Sequence, residues 1–249
     1  MVVPTYNERE RIVELVQKLF AASTAAGIEM EVIVVDDNSP DGTGELADSL
    51  AKSYRVKVVH RPGKLGLGAA VIAGLQVASA PFMGVMDADF SHPPAAVPGL
   101  LATIRATGAD LVVGSRYVPG GSISHWPWWR RLMSRLACLL ARPLSPIRDA
   151  TSGFFVIRAD LARRATIRAG GFKINLELNM RAWPARLVEV PYRFADREAG
   201  ESKMSMKEGL RYLVQLRDLY IFTWTGGPRP PREYRQISPE ELAGFMRGE

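Results

Sequence analysis

Val32-Ile33-Val34-Val35-Asp36-Asp37-Asn38-Ser39-Pro40-Asp41-Gly42-Thr43 sets four consecutive β-branched residues directly against a stretch of acids and turn formers. The run is apolar on consecutive rather than alternate positions and too short for a helix. It reads as a strand buried on both faces, as in parallel sheets that helices cover on either side. Runs of the same kind recur outward from it, at residues 2–3, 56–59, 82–86 and 111–113, each bounded by Asp, Gly, Pro or Asn. Upstream, Asn7 stands at an N-cap position with Glu10 three residues on. Ile12, Leu15, Val16, Leu19 and Phe20 then form one apolar stripe, which predicts the first helix. The alternation predicts an α/β fold, a mostly parallel sheet flanked by helices in a single domain.

After Tyr117 the pattern loosens into a glycine and tryptophan loop over residues 119–129, then a helical stretch over 130–140. A strand-like segment at 154–157 and an alternating one at 187–194 predict that the sheet resumes. A further helical pattern over 206–224 must end at Gly226-Gly227-Pro228-Arg229-Pro230-Pro231. Ser238-Pro239-Glu240-Glu241 reads as the start of a short accessory helix. The predicted division is a domain over residues 1–225 and a Pro/Gly linker with a short tail over 226–249.

Composition fits a globular chain: of 249 residues, 47% are hydrophobic and 23% charged. The single cysteine, Cys138, excludes an internal disulfide, and His60, His92 and His125 show no zinc spacing. The start lacks a secretory signal, and no stretch reaches the roughly 18 apolar residues of a spanning helix, so a soluble or peripheral protein is expected. Charge is unevenly spread. Residues 1–114 hold 9 Lys and Arg against 13 Asp and Glu (net −4), and residues 115–249 hold 23 against 13 (net +10). A basic half suits nucleic acid, anionic lipid or a phosphorylated substrate, and charge alone does not choose.

In an open α/β sheet ligands bind beyond the carboxyl ends of the strands. Four runs deliver polar residues there: Pro4-Thr5-Tyr6-Asn7-Glu8, residues 36–43, Asp87-Ala88-Asp89, and Gly114-Ser115-Arg116-Tyr117. Asp87 and Asp89, one residue apart, can face one hard cation that carries diphosphate oxygens. Alone the pair is equally a surface turn; beside Asp36-Asp37 and a basic second half, the metal-diphosphate reading is favoured. Gly66-Leu67-Gly68-Ala69-Ala70-Val71 fails as a dinucleotide fingerprint because it follows the third run and ends in Val, so it is read as a tight turn into a helix.

These motifs occur together with Leu65 to Gly68, Phe90-Ser91-His92-Pro93-Pro94, Ser134-Arg135, residues 149–154, Glu189-Val190-Pro191 and residues 196–203. The combination, over roughly residues 1–225, resembles glycosyltransferase family 2, and within it the dolichyl-phosphate (polyprenol) mannose synthases. The resemblance implies a GT-A fold, an inverting transfer of mannose from GDP-mannose to a dolichyl or polyprenyl phosphate, and a divalent cation, Mg or Mn. Pro4, Tyr6, Glu8, Val35 and Asp37 would surround the nucleoside. Asp87, Ala88 and Asp89 would hold the diphosphate and metal, with Ser91 near the ion. Arg116, Arg135, Arg197 and Lys203 would meet the phosphates of donor and acceptor, against the bland reading of solvated surface charges. The acceptor oxygen is already anionic, so no strong general base is required. Departures fall on the acceptor side: Leu136-Ala137-Cys138 stands where relatives carry Gly-Ala-Asn, and Phe155 where Arg is common. The chain also begins almost on its first motif, so the first strand is expected to be short or the start to lie upstream.

The acceptor implies a peripheral protein on the cytoplasmic face of a membrane, with room for a small membrane-protein partner and no role for nucleic acid. The Trp126-Pro127-Trp128-Trp129-Arg130-Arg131 loop is read as a membrane contact, while the helix over 206–224 reads as core packing or as membrane contact. Two alternatives stand beside the mannosyl reading: a glucosyl transfer from UDP-glucose to the same acceptor, and a non-enzymatic nucleotide or nucleic-acid binding module, which leaves Asp87 and Asp89 idle.

Overall fold

The computed structural model describes residues 1–168, 173–195, 206–227 and 229–248. Along the chain run β1 (Val2–Thr5), α1 (Arg9–Ala25), β2 (Val32–Asp36), α2 (Thr43–Leu50), β3 (Val56–His60), α3 (Leu67–Val77) and β4 (Phe82–Val85). There follow α4 (Val97–Thr107), β5 (Leu111–Ser115), the short β6 (Ser122–Ile123), α5 (Trp128–Ala141), β7 (Phe155–Arg158) and α6 (Ala159–Arg164). The chain continues through α7 (Ile174–Arg181), β8 (Arg186–Pro191), β9 (Arg193–Phe194), α8 (Met206–Thr225), β10 (Glu233–Gln236) and α9 (Pro239–Arg247).

Among the described residues eight strands form one sheet in the order β10-β8-β5-β7-β4-β1-β2-β3. All its pairings are parallel except those of β7, which runs antiparallel to both β4 and β5. The α/β sheet expected from the buried runs is therefore present, with one reversed strand. Helices cover both faces. Ile12, Leu15 and Leu19 of α1 pack with Leu100 and Ile104 of α4 on one side, and Val71 and Leu75 of α3 pack with Ile174 and Leu178 of α7 on the other. At Gly74 of α3 an added Cβ would fall 2.3 Å from Val2, so only glycine lets α3 lie this close to β1. Gly66, at φ +99°, makes the turn into α3 that the sequence predicts.

A third cluster joins α5, α7 and α8 through Ala141, Leu176, Tyr212, Leu216 and Leu219. The segment beyond Gly227, set apart in the sequence as linker and tail, supplies β10 as an edge strand beside β8, and α9 places Leu242 and Phe245 against the core. Ser238 caps α9 as expected, its Oγ accepting the Glu241 N–H at 3.2 Å.

Candidate active site

The crevice begins where β1 and β2 end in register, Thr5 opposite Asp36. The two loops that follow are laced together: the Asn7 N–H donates to Ser39 Oγ and the Glu8 N–H to Thr43 Oγ1, each at 3.0 Å. Asn7 does not cap α1. It adopts φ +59°, Glu8 takes the cap position, and Asp41 from the second loop accepts the Arg9 N–H at 3.2 Å. Asp36 is likewise structural, accepting from the backbone and hydroxyl of Ser39 and from Thr5. That leaves the buried Asp37, which pairs with Arg61; burial pushes its carboxyl up and Arg61 opposes the shift. Lys64 lies over the Tyr6 ring at 3.9 Å. Pro4, Tyr6 and Glu8 line the rim half-buried, whereas Val35 is buried in the core against α3.

At the end of β4, Asp87 keeps 34% of its side chain exposed. Its N–H donates to His92 Nδ1 at 3.0 Å, which fixes that nitrogen as an acceptor and the ring as the neutral Nε2–H tautomer. Burial also pushes the His92 pKa down. Ala88 faces the core, and Asp89 is buried, its Oδ1 accepting from the Ser91 N–H at 3.0 Å and the Ser91 hydroxyl at 2.6 Å. The donor set is all oxygen: two carboxylates, and a hydroxyl whose proton is committed to Asp89 so that its lone pairs remain. That suits a hard cation such as Mg or Mn. Among the described residues no group of three or more His, Cys, Asp and Glu could hold a metal. Further ligands to such a cation would have to come from whatever binds beside these residues.

Beyond β5 the site turns basic. Arg116 forks onto the fully buried Asp149, with Nε and Nη2 each donating at 2.7 Å, and Nη2 also reaches Thr151 at 3.0 Å. Asp149 is held in turn by Glu189 of β8, which accepts the N–H groups of Arg148 at 2.7 Å and Asp149 at 2.9 Å and the hydroxyl of Tyr234 from β10. Arg135 shares the Tyr117 ring with Arg116, at 5.9 and 5.4 Å from its centre. Arg116, Arg135, Arg142 and Arg148 line one groove of about 770 Å³ with Tyr117 and Leu139. Two of the predicted arginines are brought together; Arg197 and Lys203 lie outside the described residues. Arg61, Lys64, Arg142, Arg148 and the Arg116–Asp149–Glu189 chain were not singled out in the sequence. Asp149 and Glu189 stood within motifs, but a pairing across 33 or 40 residues leaves no spacing signal.

The groove opens beside α5, which lies against α8 through Tyr212 Oη donating to Ala137 O at 2.6 Å and Tyr220 Oη to Leu140 O at 2.8 Å. Outward, α5 exposes Trp128, Trp129, Leu132, Met133, Leu136, Leu139 and Leu140, and α8 exposes Leu210, Leu213, Val214, Ile221 and Trp224. The predicted tryptophan loop is divided. Trp126 is buried under the Arg130 guanidinium at 4.0 Å, while Trp128 and Trp129 open α5 and are exposed. Among the described residues no helix is long and apolar enough to cross a membrane.

The chain is 40% identical over 231 residues to the dolichol-phosphate mannosyltransferase of Pyrococcus furiosus, which covers 91% of this chain and 64% of that protein, just under two thirds of its length. With the dolichol-phosphate mannosyltransferase of Saccharomyces cerevisiae it shares 39% over 233 residues, 89% of this chain and 86% of that one. A solved structure, glucosyl-3-phosphoglycerate synthase from Mycobacterium tuberculosis in complex with Mn2+, UDP and glucosyl-3-phosphoglycerate, superposes with a TM-score of 0.62 at 20% identity. It covers 92% of this chain and 80% of its own, a likeness of the GT-A fold. Residues 1–165 match the family described as glycosyl transferase family 2. The match runs from β1 through α6, and on that ground the chain belongs to glycosyltransferase family 2.

Proposed function

We propose that this enzyme moves mannose from GDP-mannose onto a dolichyl or polyprenyl phosphate, with inversion, while docked on the cytoplasmic face of a membrane. The observation that carries this reading is the arginine groove bordering the exposed apolar face of α5 and α8. A lipid phosphate needs both at once, cationic side chains for its head and an apolar surface for its surroundings. The names of the relatives favour mannose and a polyprenyl acceptor over glucose.

A divalent cation held by Asp87 and Asp89 with Ser91 would offset negative charge on the leaving diphosphate. The chain's own residues do the rest. Tyr6, Glu8 and Asp37 bound the nucleoside side with Pro4, over the buried Val35, and the lacing of residues 36–43 to residues 4–8 fixes that side before a ligand arrives. Arg116 cannot swing freely because Asp149 holds it at two points, so it presents a pre-aimed guanidinium edge to phosphate oxygens. Arg135 covers the same groove, and Arg197 and Lys203 are assigned to the phosphates from their motif positions. His92 is neutral, buried and engaged at Nδ1, consistent with an acceptor that arrives already ionised. The free thiol of Cys138, buried beside Asp149, fits a reducing compartment.

The test is a donor competition with polyprenyl phosphate in vesicles and a divalent cation present. Lipid-linked mannose from GDP-mannose is expected in preference to lipid-linked glucose from UDP-glucose. Preferential glucosyl transfer would reassign the donor, and no lipid-linked product from either would reject the acceptor.

A further inference from the structure

Residues 142–154, between α5 and β7, form neither helix nor strand, yet they carry two groups that shape the arginine groove: Arg148, which lines it, and Asp149, which holds Arg116. A backbone without a ladder of its own takes its geometry from the side chains that reach it. Two of those side chains come from the segment after Gly227, which lies beyond the stretch that matches the family.

The first is Tyr234 of β10. Its hydroxyl donates to Glu189 Oε2, the oxygen that also accepts the Arg148 N–H at 2.7 Å, while Glu189 Oε1 accepts the Asp149 N–H at 2.9 Å. Gln236 donates to Tyr234 Oη at 2.8 Å, which leaves the hydroxyl proton for the carboxylate. Glu189 is fully buried; burial pushes its carboxyl up, and the Tyr234 hydroxyl and the two N–H groups oppose that shift. A buried carboxylate is oriented by its donors, so withdrawing one loosens what it holds on the other side. The second is Arg232, half-buried like Tyr234 while Glu233 and Arg235 between and after them are exposed. It donates to the Leu144 carbonyl at 2.8 Å and to the side chain of Asn179, whose amide donates to Ser145 at 2.6 Å.

We infer that Tyr234 is a positioning residue of the arginine groove. Through Glu189 it sets the backbone of Arg148 and Asp149, and through Asp149 the edge that Arg116 offers, while Arg232 holds the other end of the same segment. The inference rests on the reading of this groove as the seat of a lipid phosphate, and it brings the chain's last strand into the recognition of that phosphate.

Tyr234→Phe takes away the hydroxyl and keeps the ring. Initial rates with GDP-mannose and a short-chain polyprenyl phosphate, calorimetric affinities for GDP and for the polyprenyl phosphate, and Tm are measured for wild type, Tyr234→Phe, Glu189→Gln and the double variant. Arg235→Ala, which breaks an outward ion pair with Glu241 on the same strand, is measured beside them. In Tyr234→Phe, kcat/KM for the polyprenyl phosphate is expected to fall about tenfold, with GDP affinity within about twofold of wild type. Glu189→Gln should show the same one-sided loss, and adding Tyr234→Phe to it should cost less than Tyr234→Phe costs alone, because both act through one carboxylate. Arg235→Ala should keep wild-type rates whatever its Tm. Wild-type kcat/KM in Tyr234→Phe, full additivity with Glu189→Gln, or equal losses toward both ligands that follow Tm in Tyr234→Phe and Arg235→Ala alike would overturn the positioning role and leave the transferase reading standing. A wild-type protein that neither binds nor mannosylates polyprenyl phosphate overturns both. Where Tyr234→Phe does not fold, Arg232→Lys decides: a loss confined to the polyprenyl phosphate supports the role, and wild-type kinetics reject it.

Discussion

Asp149 shows how much of the site hangs on one carboxylate. It is wholly buried, and it takes two bonds from the Arg116 side chain and one from the Arg116 backbone at 3.0 Å. Removing it leaves a guanidinium buried without its counter-charge, which typically costs about 3–5 kcal/mol. Asp149→Ala is therefore expected to lose stability of that order in chemical denaturation and to lose transfer with it. A loss below about 1 kcal/mol, within the range of exposed pairs, would mean that the pair is open to water. His92 gives a pH signature. Its folded pKa lies below the ordinary value of roughly 6.5, so the unfolded chain binds the proton first. Stability is full above that value and is lost as pH falls from it toward the folded pKa. Unfolding free energies from pH 8 down to 5 should show that slope in the wild type and a flatter one in His92→Asn. Equal slopes would mean that His92 titrates in the folded protein as it does unfolded. Neither behaviour was legible in the sequence, where His92 stood within a motif and without zinc spacing, and Asp149 within a motif with no sign of its partner.

At the scale of elements, the buried strands and the first helix were legible because each carries its own pattern. The five early runs became β1 to β5, and the stripe from Ile12 to Phe20 lies within α1. What escaped is what depends on a second element. The α1 cap comes from Asp41 across the crevice, and β10 forms only because β8 offers an edge. The tryptophans divide for the same reason: Trp126 finds Phe194 at 5.1 Å between ring centres, whereas Trp128 and Trp129 find no such cover. Likewise α8 packs Tyr212, Leu216 and Leu219 inward and leaves Leu210, Leu213 and Trp224 outward. Sedimentation with anionic vesicles tests the outward face. The wild type should bind and weaken with salt, and Trp128→Ala with Trp129→Ala should bind less at an unchanged circular dichroism spectrum. Trp126→Ala should instead destabilise the fold by about 3–5 kcal/mol. Equal sedimentation of the wild type and the double variant would withdraw α5 from the membrane.

Across the whole molecule the charge asymmetry read from the sequence has a spatial meaning. The acidic first half supplies the strand ends with Asp37, Asp87 and Asp89, and the basic second half supplies most of the groove lined by Arg116, Arg135, Arg142 and Arg148. On the proposed function, one side would take a cation and a diphosphate, the other a phosphate presented from lipid. Composition left the partners open; the fold brings the acidic strand ends and the arginine groove into one crevice. The proposed function requires the carboxylate pair to act through a cation in transfer to a lipid phosphate. Its most direct test is the initial rate of lipid-linked mannose formation from GDP-mannose and polyprenyl phosphate, for wild type and Asp89→Ala, with Mg or Mn and with excess chelator. Wild type with metal should turn over, while chelation, or the substitution even with metal, should each lower the rate by roughly two orders of magnitude or more. Undiminished transfer in chelator, or near-normal turnover by Asp89→Ala, would contradict it.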